Sequence, residues 1–365
     1  MKISRAITVA AAFTMLFSVL APAQDPGKKI TLSNSSPAVV VGYMMAAPQA
    51  SGGSGYHLIK KVKLGGPGGW DYLTVDQATH RVFISRGTHV MIVDPEQGKV
   101  IGDVPDTQGI HGIALAAEFN KAFTSNGRTA TSTIFDMTTL KKVGEAKTEK
   151  DPDAIIYDPK SKRVFTFNGD SNSATAIDAG TGKVAGTITF GGGPEFAAAD
   201  GKGHLFVNLE DKSQLVKFDS KTLKVENTWP LAPCESPSGL AIDAEHEVLI
   251  VGCHNKLMAF VDGNSGKVNG TVPIGQGVDA NRFDLGTGFA FASCGDGTLT
   301  VAHEDAPDKF SLVETIATQR GPGRWHWTSP TTTSTWLQPS SEQHPQRRRK
   351  IRSRGRRWCP VRLRC

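Results

Sequence analysis

The chain has 365 residues, 39% of them hydrophobic, and a formal net charge of +6. That charge sits at one end: residues 321–365 hold ten Arg and one Lys against one Glu, and taking their +10 from the total leaves −4 for everything before, which argues against nucleic-acid binding by the folded body. Beyond the first two dozen residues no stretch is apolar enough to span a bilayer.

In chain order, Lys2 and Arg5 precede the apolar run Ala6 to Leu20, and Ala21-Pro22-Ala23 offers small residues at the two positions a signal peptidase reads. Residues 1–23 are therefore expected to be a secretory signal, and the mature chain periplasmic or secreted, with no membrane segment after cleavage. Residues 24–55 carry Gly, Ser, Pro and Ala without a period and end in Ser51-Gly52-Gly53-Ser54-Gly55, the composition of a flexible linker. Tyr56 to Leu64, YHLIKKVKL, reads as a strand, and the Gly65-Gly66 after it matches Gly191-Gly192 after the fourth strand of the clearest repeat. It is expected to be the last strand of a blade whose other strands lie elsewhere, which would remove a free sheet edge.

That clearest repeat runs from Asp151 to Gly192 and contains four short apolar runs joined by tight turns, Pro159 to Lys162, Asn168-Gly169 and Gly180-Thr181-Gly182. Slid along the chain, its first strand closes at Asp76, Ala117, Asp158, Asp200, Asp243 and Asp284, and its third at Asp94, Asp136, Asp178, Asp219 and Asp262. Both anchors keep one period, of the length a four-stranded propeller unit needs. The fold expected is all-β, a β-propeller over 56–320 with six recognisable four-stranded blades, at roughly 68–108, 109–150, 151–192, 193–235, 236–276 and 277–320. The sixth is degenerate at its third turn, where His303-Glu304-Asp305 stands in place of the usual Asp and Gly-Lys. After Gly321 the alternation stops and Arg, Ser, Thr, Pro and Trp take over, so the remaining strands of a seventh blade are expected to be lost and the ring to carry a gap. Residues 321–365 read either as a basic disordered arm or as an out-of-frame replacement of that blade.

The D-x-x-T/S-G-K-V pattern at Asp178 to Val184 and Asp262 to Val268 resembles the YncE-like, YVTN-repeat β-propeller family of exported bacterial proteins. The resemblance covers Tyr56 to about Arg320. It implies a seven-bladed ring and says little about activity, since such propellers include lactonase-like members, cofactor-bearing oxidoreductase domains and binding proteins.

The Gly-Lys pairs lack the flanking residues of a phosphate loop and read as hairpin turns. No haem-attachment pattern, nucleophile elbow or paired-His metal helix occurs. Cys234, in the loop entering the fifth blade, and Cys253, after that blade's second strand, open on one face and are expected to form a disulfide if the chain is exported. Cys294 occupies the place of Cys253 one blade on.

The remaining signal is the channel mouth. Five residues before the first-strand anchors stand Asp71, Gly112 with His111 beside it, Asp153, Glu195, Ser238 and Asp279. Four carboxylates converging on a narrow channel repel one another unless a cation offsets them, and oxygen-rich sites suit Ca²⁺ or Mg²⁺. Asp71, Asp153, Glu195 and Asp279 are thus candidate metal ligands; the alternative is that they cap strand starts by accepting backbone N–H groups. Arg86, Asn126, Asn168 and His254, on facing loops, are candidate ligand-binding residues, and His111 is a candidate general acid or base. Two functions follow: an exported binding or interaction module receiving a small molecule or protein partner at the channel face, or a metal-assisted, lactonase-like hydrolase at the same mouth.

Overall fold

The computed structural model describes residues 54–307 and 309–318, with the side chains of 57–60 excepted, and the backbone of three further strands, Val39–Ala46, Arg324–Thr328 and Thr333–Pro339. The expected signal over 1–23 lies outside the described residues. Within them the regular structure is strand, apart from three single 3-10 turns at Ala117–Phe119, Gly169–Ser171 and Glu210–Lys212.

The repeat motif is a turn device. Asp178 Oδ1 accepts both the backbone N–H and the hydroxyl of Thr181, each at 2.7 Å, and Gly182 then takes φ +73° so that its N–H reaches the Asp178 carbonyl at 2.8 Å. Asp262, Ser265 and Gly266 repeat the arrangement. Side-chain acceptors at these positions end the third strand and start the fourth, which is why the Asp spacing tracks the fold.

Six sheets, spanning 73–104, 110–147, 152–189, 194–230, 237–273 and 278–317, each contain four antiparallel strands in sequence order. Their innermost strands, Leu73–Val75, Ile110–Ala116, Pro152–Asp158, Pro194–Ala199, Pro237–Asp243 and Val278–Asp284, lie each beside the next. Burial is concentrated where sheets face each other. Phe83 meets Phe135 at 6.1 Å between the first and second blades, Phe165 meets Phe218 at 5.7 Å between the third and fourth, and Phe260 stacks on Phe310 at 3.7 Å between the fifth and sixth.

The seventh blade is present, which corrects the expectation that its C-terminal strands are lost. A four-stranded sheet takes the order Tyr56–Lys63, Val39–Ala46, Thr333–Pro339, Arg324–Thr328. Arg324–Thr328 lies beside both Val278–Asp284 and Leu73–Val75, so it is the seventh inner strand and the ring closes without a gap. Two strands come from each end of the chain: the segment read as linker contributes Val39–Ala46, and the segment read as tail contributes two. The expected closing strand Tyr56–Lys63 is the outermost. Tyr56 packs edge-on against Phe291 at 5.1 Å on the sixth blade, and Val62 joins the cluster of Leu73, Val75 and Val93 on the first. Both neighbouring sheets are thereby covered.

Candidate functional site at the channel mouth

Where each inner strand of the second to sixth blades begins, its pairing with the second strand is interrupted by a β-bulge, between Ile110 and Ile113, Pro152 and Ile155, Pro194 and Ala197, Pro237 and Leu240, and Val278 and Ala280. A bulge re-aims the side chain it contains. The residue carried at its start is His111, Asp153, Glu195, Ser238 or Asp279, and in the first blade Asp71 holds the corresponding place. The second blade's anchor is therefore Ala116, paired with Lys121 as Asp158 is with Arg163, rather than Ala117, and the ring residue is His111 itself rather than Gly112.

Hydroxyls on the second strands fix these starts. Ser85 Oγ accepts the Asp71 N–H at 3.1 Å and donates to the Tyr72 carbonyl at 3.1 Å. Ser125 Oγ accepts the Gly112 N–H at 2.8 Å and donates to the Asp153 carbonyl on the next blade.

His111 Nδ1 is hydrogen-bonded to Asp71 Oδ2 at 2.7 Å and lies 3.7 Å from Asp153 Oδ1. Its side chain is 18% exposed. Burial alone would push this imidazole down, yet Asp153, Asp71 and Asp151 together raise it to about 9, so near neutral pH it is an imidazolium between two carboxylates. The cation that the converging carboxylates call for is thus supplied in part by the chain. Gly127 makes room for it, since a Cβ there would stand 2.8 Å from both His111 Nε2 and Asp151 Oδ1. Among the described residues, Glu195 and Asp279 do not belong to this cluster.

Stability should follow this proton. A folded pKa raised from 6.5 to about 9 stabilises the fold fully below about 6.5 and is lost as pH rises through about 9, a term on the order of 3 kcal/mol. Denaturant unfolding of metal-free protein between these limits is expected to show that alkaline loss, and His111→Gln to lack it.

The other candidates separate. Asn126 and Asn168 end equivalent second strands inside their blades and are buried: Asn126 donates to Thr131 and Thr133 and accepts from Thr124, and Asn168 does the same with Ser173, Thr175 and Thr166. Their amides are satisfied by their own sheets. Arg86, at the same place in the first blade, is fully buried and donates from Nη2 to the carbonyls of Gly66, Pro67 and Gly68 at 2.9 to 3.1 Å, clamping the loop that enters the blade. Gly68 is required there, because at φ +85° a Cβ would lie 2.3 Å from the Arg86 carbonyl oxygen. His254 is half-exposed, with Nε2 3.8 Å from Glu210 Oε1 and apart from the His111 cluster. Cys234 and Cys253 are joined, with Cα atoms 5.4 Å apart, and Cys294 is a buried free thiol pushed up to about 12 chiefly by desolvation.

Inside the ring lies a cavity of about 600 Å³ with largely apolar walls from the inner strands. Tyr72 and Phe196 meet across it at 5.6 Å, and the Arg282 guanidinium sits 5.4 Å from the centre of the Phe196 ring. Neither the two rings nor Arg282 stands out in the sequence, because Tyr72 and Phe196 follow Asp71 and Glu195, and Arg282 stands three residues after Asp279, with no recurring pattern of their own.

No family model and no curated protein matches this chain. Among solved structures it is similar to a chain of the mitotic checkpoint complex, with a TM-score of 0.64, 11% identity, and coverage of 73% of this chain and 86% of that one. It is also similar to the hydrazine synthase of Kuenenia stuttgartiensis, with a TM-score of 0.62, 15% identity, and coverage of 76% and 97%. The fold is a β-propeller. At these identities the likeness extends to the fold alone.

Proposed function

We propose that this chain is an exported binding module of the YVTN-repeat type, which receives a divalent cation or a small ligand at its acidic channel mouth and can present that face to a protein partner. The observation that carries this reading is the Asp71, His111 and Asp153 cluster. One imidazolium meets two carboxylates there, and Glu195 and Asp279 occupy equivalent bulges on the fourth and sixth blades, so further acidic side chains start inner strands at the same mouth. The leader-like residues 1–23 support export. A propeller within a multi-protein complex, as in the mitotic checkpoint structure, accords with an interaction role.

Calorimetry on chelator-treated protein is expected to detect one Ca²⁺ or Mg²⁺ site whose heat disappears in Asp153→Ala. Binding that survives this substitution unchanged, or no binding at millimolar metal, would remove the cation from the mouth. The lactonase-like alternative draws on the Asp71 to His111 hydrogen bond, which orients an imidazolium able to act as a general acid. Turnover of sugar lactones that depends on added metal and on His111 would establish it.

A further inference from the structure

On the opposite face of the ring, where first strands turn into second strands, neighbouring blades are joined by basic side chains. Arg81 of the first blade donates to the Met137 carbonyl of the second at 3.0 Å. Lys121 of the second reaches the Ala179 and Gly180 carbonyls of the third, and Arg163 of the third reaches Ser220 and Lys221 of the fourth at 2.9 and 2.7 Å. Lys217 of the fourth blade reaches the Gly263 carbonyl of the fifth, and Lys202 pairs with Glu247 across the same seam. The pattern breaks at the next seam. Val248 stands in the fifth blade where Arg81, Lys121 and Arg163 stand in theirs, and among the described residues no Lys or Arg of that blade is hydrogen-bonded to the sixth.

What fills this seam is acidic. Asp243, fully buried, ends the fifth inner strand, and its Oδ2 lies 2.6 Å from Nδ1 of His246 in the following turn. Glu304 enters from the sixth blade at the point where the repeat degenerates. Its side chain is only 7% exposed, its Oε1 makes no well-aligned hydrogen bond, and that oxygen lies 3.4 Å from the same His246 Nδ1. Two buried carboxyl groups therefore converge on one nitrogen, where the four preceding seams hold a basic side chain. Holding two carboxyl groups this close in a buried seam is costly unless a cation offsets them.

We propose that Asp243, His246 and Glu304 form a divalent transition-metal site, of Zn²⁺ type, that ties the fifth blade to the sixth. One atom from each residue, the three lying within 4.8 Å of one another, gives a mixed nitrogen and oxygen donor set. That set suits Zn²⁺ or a similar ion better than Ca²⁺, which prefers six or more oxygens. Zn–N and Zn–O bonds of about 2 Å place donors roughly 3.3 Å apart, close to the 3.4 Å between Glu304 and His246 and reached from the 2.6 Å between Asp243 and His246 by a small withdrawal of the imidazole. His246, 42% exposed, keeps one side open to solvent for entry and for a water ligand. Binding takes His246 through a bare Nδ1, the ring's remaining proton staying on Nε2, and Glu304 as carboxylate, so the second proton of an imidazolium and any proton held by the carboxyl pass to solvent.

The test is Zn²⁺ calorimetry on the chelator-treated full chain, with Co²⁺ absorption as a coordination readout. One equivalent is expected to bind at this seam with proton release, counted in the Asp71→Asn, Asp153→Asn chain, which disables the mouth cluster of the same donor types. Glu304→Gln and His246→Ala should each weaken it by more than about tenfold, a loss that even an outer-shell change can cause. Asp71→Asn combined with Asp153→Asn, on the far face, should leave it unchanged, so failure here and failure of the mouth site are read separately. Glu304→Gln keeps the side chain's shape and removes a buried charge, and should fold. No Zn²⁺ uptake by the unaltered chain, equal affinity in Glu304→Gln and His246→Ala, or loss of binding in the far-face variant would each overturn the proposal.

Discussion

Phe218→Ala is expected to lower stability by about 3 to 5 kcal/mol, among the largest effects available to one side chain in this fold. Phe218 has no exposed surface and sits at the seam between the third and fourth blades, with ring centroids 5.7 Å from Phe165, 6.4 Å from Phe167 and 5.7 Å from Phe190. Removing it leaves a cavity walled by strands from two sheets, each already bound into its own hydrogen-bond ladder, so the surroundings cannot collapse cheaply. Val225, 43% exposed on the outer strand of the same blade, is the control, and Val225→Ala should fall within about 0.5 kcal/mol of the unaltered chain. Urea midpoints at unchanged slope measure both. A Phe218→Ala loss no larger than that of Val225→Ala would mean that the seam does not carry the ring's cohesion.

The turns that join these strands are the part of the fold that the sequence exposes best. Asp178 and Asp262 recur because a carboxylate must accept N–H groups at each third turn, and Gly182 and Gly266 follow because the turn needs positive φ. Where glycine is absent, Leu140 and Leu223 adopt φ of 58° and 60° in its place, which blurs the motif without changing the turn. The seventh blade escapes this reading because its pairing is not local. Val40 opposes Gln338 and Val41 opposes Leu337, so the register of Val39–Ala46 is set by a partner near the other end of the chain, and a tail rich in Trp and Arg shows no strand period.

The site was legible as a set of positions and not as a set of contacts. Asp71, Asp153, Glu195 and Asp279 do stand at inner-strand starts, but which of them meet depends on bulge geometry and on His111, whose place was hidden by a one-residue shift of the second blade's anchor from Ala117 to Ala116. The sequence places Asn126 and Asn168 on loops after second strands, and the structure makes them the last residues of those strands. Their burial depends on hydroxyls at Thr133 and Thr175 that carry no period. Glu304 was visible only as a break in the repeat, and its meaning comes from Asp243 and His246 on the neighbouring blade.

Replacing Cys234 and Cys253 together with Ala is expected to lower stability by about 3 kcal/mol, the chain-entropy value for a closed loop of this length, here a separation of 19 residues. The bridge does not act alone. Asn255 Nδ2 donates to the Pro233 carbonyl at 2.8 Å, its Oδ1 accepts the Glu235 N–H at 3.2 Å, and the His254 N–H reaches the Glu235 carbonyl at 3.0 Å. These bonds should keep the loop near its place once the sulfurs are gone, so the loss should come mainly from the unfolded chain, with binding at the mouth little changed. Cys294 is the internal control: it ends the sixth blade's second strand as Cys253 ends the fifth's, and it is free and buried. In native oxidised protein, peptide mapping without reduction should recover Cys234 linked to Cys253, with Cys294 alkylated only after unfolding. Alkylation of Cys234 or Cys253 before reduction would contradict the bridge. An unfolding midpoint indifferent to its removal would place the loop's stability in Asn255, which Asn255→Ala in the cysteine-free background would then expose.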